Sequence, residues 1–138
     1  MQRMSVIISN DAFDAILTPF DFIHLGTAIY DEINVLFVGF AARLMTKEGI
    51  KTAEDYLIHK NMLDELKEGL KRIGLPDNLY SIIKELKRTE GIHFYICSNA
   101  AAKFSITDEM LLPEIDGIVG AAWFLIEKAN KSEIFMQF

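Results

Sequence analysis

Apolar residues fall into short continuous runs separated by longer stretches with a helical period, and the two patterns alternate along the chain. Met4 to Ser9 (MSVIIS) is a continuous run ending in the turn residues Asn10 and Asp11, which predicts a first strand. Thr18-Pro19 predicts a helix start, because Thr caps and Pro suits the first helical position; Phe20, Ile23, Leu25, Ala28 and Ile29 supply its buried side. Asn34 to Phe40 (NVLFVGF) is almost wholly apolar, as expected of a strand covered on both faces. Ala41 to Met45 reads as a short helical stretch, and Thr52 to Tyr56 starts another candidate helix. Asn61 to Ile73 repeats Met62, Leu63, Leu66, Leu70 and Ile73 at helical spacing, with Gly74 placed to end it. Asp77, after Pro76, is placed to cap a helix over Asn78 to Thr89 that turns Leu79, Ile82, Ile83 and Leu86 inward.

Gly91 to Cys97 (GIHFYIC) is a third strand, followed by a helix from Ser98 to Phe104. A short helix over Thr107 to Leu112, a strand at Gly117 to Val119, a helix over Gly120 to Ala129 and a last strand over Ser132 to Phe138 complete the pattern. Strands alternating with helices imply right-handed crossovers and an α/β fold. The expectation is three layers, with a mostly parallel sheet of about five strands and helices on both faces. No linker, repeat or low-complexity segment divides residues 1–138, so a single domain is expected. Ligands in such sheets bind outside the carboxyl ends of the strands, where Asn10, Phe40 and Cys97 fall.

Composition narrows the classes. The hydrophobic fraction is 51%, with ten Phe and six Met, more apolar side chain than a small core readily hides. Either both faces of the sheet are covered or some apolar surface is buried between subunits. A formal net charge of -6 argues against a nucleic-acid or anionic-membrane surface. No apolar run has transmembrane length, and residues 1–9 lack the apolar core of a signal peptide. His24, His59 and His93 show no metal-ligand spacing, so neither a metal nor a cofactor is expected. No Gly-rich phosphate loop follows a strand, which counts against a nucleotide-binding module. One cysteine makes no internal disulfide, in keeping with a reducing cytoplasm.

That cysteine carries the candidate chemistry. Cys97 closes a strand and faces a helix N-terminus, where unpaired N–H groups and the positive end of a helix dipole favour the thiolate. N–H groups of Ser98 and Asn99 are placed to stabilise an anion there, the Asn99 amide to hydrogen-bond a sulfonate or persulfide, and Lys103 to attract an anionic donor; Asn10 is a second-tier candidate. Each has a plainer role as well: Cys97 as a small core hydrophobe, Asn99 as a helix cap, Asn10 as a turn residue, Lys103 as a solvated helix lysine.

The order of these stations resembles the DsrE/DsrF-like family of small sulfur-relay proteins. The amphipathic helix Leu79–Arg88, the strand Gly91–Ile96, Cys97, the helix Ser98–Phe104, the acidic turn Asp108-Glu109-Met110-Leu111, and Gly117 with Gly120 match the family's pattern. Val35 to Lys47 also looks like its second strand and following turn, and His59-Lys60-Asn61-Met62 like a remnant of its Met-containing loop. The resemblance implies a DsrE/YchN-like fold and a cytoplasmic sulfur carrier or sulfurtransferase. Cys97 would hold a persulfide or thiosulfonate and pass it to a partner thiol, with a TusA-like acceptor protein and a homotrimer or homohexamer. Relatives often carry methionines and a glycine after the cysteine; Ala100, Ala101, Ala102 and Ser105 stand there instead, so the donor is left open. Two alternatives remain, a non-catalytic assembly subunit of a sulfur-relay complex and a thiol peroxidase-like redox protein, although no peroxidatic arrangement of Thr, Pro and Arg surrounds Cys97.

Overall fold

The computed structural model describes residues 1–138. Its strands are β1 (Arg3–Ile8), β2 (Glu32–Phe37), β3 (Ile92–Cys97), β4 (Gly117–Val119) and β5 (Ile134–Gln137), joined in one sheet of order β4-β3-β2-β1-β5. Every pairing is parallel, so the expected mostly parallel sheet is a wholly parallel one. The helices are α1 (Phe13–Gly26), α2 (Phe40–Leu44), α3 (Leu63–Arg72), α4 (Leu79–Lys87), α5 (Ser98–Phe104) and α6 (Ala121–Glu127).

Topology decides which face each helix covers. Strands β1 to β4 step across the sheet one place at a time, and β5 then returns to the far edge. Right-handed crossovers put the stepping connections on one face and the long return on the other. Alternating residues of β3 record both faces. Phe94 packs with Phe20 of α1 and Phe37 of β2, at ring-centroid distances of 6.5 and 5.8 Å, and the Lys87 ammonium of α4 lies 5.9 Å from its ring. Tyr95, pointing the opposite way, meets Trp123 and Phe124 of α6 at 5.7 and 6.3 Å. The core is one cluster of 34 buried residues centred on the α1 and α4 face.

The α6 face is thinner and more polar. The register aligns Ser5, Asn34 and His93 in one row across it. Ser5 and Asn34 are fully buried; the Ser5 hydroxyl lies 2.7 Å from that of Ser132, and the Asn34 amide donates to Glu32 at 3.1 Å. The helix over Gly120 to Ala129 reads as apolar on almost every side because only Phe124 of α6 reaches the core. Trp123, Leu125 and Ile126 are 41%, 44% and 58% exposed. Part of the chain's surplus of apolar side chain therefore lies outside the core on this element, with the rest spread over other sites such as Leu25, Ile29 and Ile73.

Several boundaries differ from expectation for identifiable reasons. Helix α1 starts at Phe13, so Pro19 is interior rather than at the first turn, and Ala12 precedes the helix with no side-chain cap. Strand β2 ends at Phe37; Gly39, at φ +55, then turns the chain into α2, so Phe40 starts a helix instead of ending a strand. No helix begins at Thr52, which ends a 3-10 turn over Gly49–Thr52. Asn78, not Asp77, caps α4: its side-chain oxygen accepts from the Ser81 N–H at 2.9 Å, while Asp77 pairs with Lys71 at 3.4 Å.

Candidate functional site

Cys97 is the last residue of β3 and the N-cap of α5, with φ -68° and ψ 131°. Parallel pairing aligns it with Val119 at the end of β4. Gly91 sets this register from the strand's other end. Its φ is +88°, and a Cβ there would lie 2.3 Å from the Asp31 carbonyl oxygen, so the close β2–β3 start requires glycine. The Ile33 N–H donates to the Gly91 carbonyl at 2.9 Å and anchors the approach. A slip of one residue would turn Cys97 to the opposite face.

Cys97 lies at the carboxyl ends of the strands, as the topology requires, but it is buried, at 4% exposed. The N–H groups of Ser98 and Asn99 belong to the unpaired first turn of α5, and both side chains are exposed. Asn99 lies inside the helix, so the cap position falls to Cys97. Asn10 is exposed just beyond β1. Lys103 is exposed in the last turn of α5, about 8 Å along the helix axis from Ser98 at 1.5 Å per residue. The structure thus gathers Cys97, Ser98 and Asn99 at one junction and sets Lys103 at the other end of the helix.

Neighbouring segments hold this end of the sheet in place. Phe40 of α2 packs on Phe104 of α5 with ring centroids 5.1 Å apart. Leu112 N–H donates to the Met45 carbonyl at 3.0 Å, and the Lys47 ammonium donates to the Glu109 carbonyl at 3.0 Å. Ser105, in the left-handed region at φ 54°, ends α5.

Asp14 is a constraint the sequence pattern did not single out. Its carboxylate accepts from the Ile58 and His59 N–H groups at 3.0 and 2.7 Å, and lies 3.0 Å from the His59 ring nitrogen. Burial pushes this carboxyl up, but the backbone and imidazole hydrogen bonds outweigh it and hold the group below its ordinary range. The segment His59 to Met62 is thereby tied to the first turn of α1. A carboxylate one residue inside a helix start is the available signal, and placing that start at Thr18 conceals it. No group of three or more His, Cys, Asp or Glu side chains converges in the geometry of a metal site.

A wholly parallel sheet with one cysteine at a strand-to-helix junction defines the class: a small α/β protein with its candidate thiol at the carboxyl edge. The family model described as the DsrE/DsrF-like family matches residues 3–138, and the chain belongs to that family. Among solved structures, it is similar to MTH1491, a protein of unknown function from Methanobacterium thermoautotrophicum. That likeness has a TM-score of 0.64 and 13% identity over 99% of both chains. It is also similar to the ychN protein of E. coli, with a TM-score of 0.57 and 13% identity over 100% of both. At these identities the likeness establishes the fold. No curated protein matches the chain.

Proposed function

We propose that this protein is a sulfur carrier that holds a persulfide or thiosulfonate on Cys97 and passes it to a partner thiol in the cytoplasm. The observation that carries the reading is that the chain's one cysteine occupies the strand-to-helix junction in a member of the DsrE/DsrF-like family. In the persulfide case, the Cys97 thiolate attacks the outer sulfur of a donor persulfide and the donor thiolate leaves. A partner thiolate then attacks the outer sulfur and Cys97 departs as thiolate. Electrons balance in both exchanges, so no external oxidant is needed. Loading extends the side chain by a sulfur about 2 Å beyond Sγ, which suits a recessed carrier. Ser98 and Asn99 stabilise the anion through their N–H groups and the Asn99 amide. Asn10, just past the end of β1 and two strands over from β3, is a second-tier contact for a bound donor, and Lys103 draws an anionic donor toward α5. The acceptor is a small TusA-like carrier, and the working form is a homotrimer or homohexamer assembled in part through α6.

The 4% exposure of Cys97 favours one other reading, a non-catalytic assembly subunit. The test is intact-mass measurement after incubation with thiosulfate, tetrathionate or a persulfide donor. The carrier gains mass at Cys97, loses it to a reductant or an acceptor thiol, and gains none as Cys97→Ser, which should remain folded. A soluble wild type that never loads is a subunit. Sulfenate formation with peroxide and no sulfur uptake identifies a peroxidase-like protein.

A further inference from the structure

We propose that the cleft between α1 and α4, closed at one end by the last turn of α3, binds a small organic ammonium ion with an aromatic or branched apolar body. The cleft has a volume of about 220 Å³. Leu17, Phe20, Leu70 and Leu86 line it, and each is buried in the protein core. Asp21 and Glu85 also line it, and the lining includes neither Lys nor Arg. Both carboxylates are without an ion pair. His24 is the one basic group at the site.

The apolar lining and the charge act differently. Apolar area contributes about 25 cal/mol per Å² whatever the ligand's charge, so it selects for shape. The two carboxylates choose the sign: they attract an ammonium, are indifferent to an alcohol and repel a carboxylate. An apolar cavity of about 150 Å³ is enough for a benzene molecule, so this cleft has room for a phenyl ring with a short arm. Ile73, on the same lining and 69% exposed, would be covered by the ligand's body. Burial raises the Asp21 carboxyl above its ordinary range and His24 opposes the rise; a bound cation would oppose it further. Asp21 and His24 lie in the half of α1 that leads to the start of β2, whereas Cys97 ends β3 at the opposite, carboxyl end of the strands. The proposal is therefore independent of sulfur chemistry.

The experiment titrates the full chain with 2-phenylethylammonium, 2-phenylethanol and phenylacetate while amide shifts are followed by NMR at neutral pH. The ammonium should bind about fivefold more tightly than the alcohol, the preference expected of two ion pairs at the exposed Asp21 and Glu85, and phenylacetate should bind weakest. Shifted amides should map to α1, α4 and residues 73–76. Asp21→Asn with Glu85→Gln should bring ammonium and alcohol to equal affinity while keeping alcohol binding; Asp21→Asn alone should remove part of the preference. Equal wild-type affinities, a preference for phenylacetate, shifts mapping elsewhere, or no saturable shift at millimolar ligand would each overturn the proposal. Cys97→Ser should bind the ammonium as wild type does.

Discussion

Asp14 shows how one side chain organises a segment far away in sequence. Three donors converge on its carboxylate, two of them backbone N–H groups that would otherwise have no partner in the protein. Asp14→Ala should cost about 1 kcal/mol near neutral pH, because the Ile58 and His59 donors are exposed and water replaces part of what the carboxylate gives them. The sign of the pH dependence follows from its lowered carboxyl. The native state binds the proton less readily than the unfolded chain, so the contribution is complete above the unfolded value of 3.8 and fades as pH falls through the lower native value. Urea midpoints of wild type and Asp14→Ala should therefore be well separated at pH 7 and converge in strong acid. A gap that stays constant down to pH 2 would show that the carboxylate charge is irrelevant. Cys97 was legible in the sequence because it combines a unique residue with a strand end. Asp14 was not, because its value depends on Ile58 and His59, which only the fold brings near.

Among the elements, strands were read more reliably than helix starts. Continuous apolar runs in β1, β2 and β3 reflect burial on both faces, a signal that survives errors of a residue or two. Helix starts depend on single residues: Pro19 is compatible with a first turn yet sits inside α1, and Asp77 and Asn78 are both capable caps competing for one position. Helix α6 was legible as anomalous, since a face apolar on all sides has no free-standing explanation in water. Its Trp123, Leu125 and Ile126 give the proposed oligomer a contact surface. Leu125→Glu with Ile126→Glu removes outward side chains while leaving the buried Phe124 in place, so folding should persist and assembly should weaken. Light scattering should show oligomers for wild type and mainly monomers for the double variant at micromolar concentration. A wild type that is monomeric there would remove the oligomer from the proposal.

At the scale of the whole molecule, the last strand is the outer neighbour of the first. The Phe138 N–H donates to the Ile7 carbonyl at 2.8 Å, and the Arg3 N–H to the Glu133 carboxylate at 2.6 Å across 130 positions of sequence. The thermodynamic cost of such a long closure is modest, since each doubling of loop length adds only about 0.6 kcal/mol. Its kinetic consequence is larger, because non-local contacts must wait for the chain to find them. The units running from β1 through α1 to β2, and on to β3, can assemble over shorter separations. During refolding, β1 would thus pass through a period with one edge bare, waiting for β5. Pulsed hydrogen exchange should find the Phe138 amide protected after those of Ile33 and Val38, which bond to Gly91 and Ile8 within the sheet's interior. Simultaneous protection would mean that the sheet forms in one step. If the order holds, the sheet has a time axis running from its interior to its β5 edge, and for that interval the bare side of β1 is open to pairing with another molecule, so refolding yield should fall as protein concentration rises.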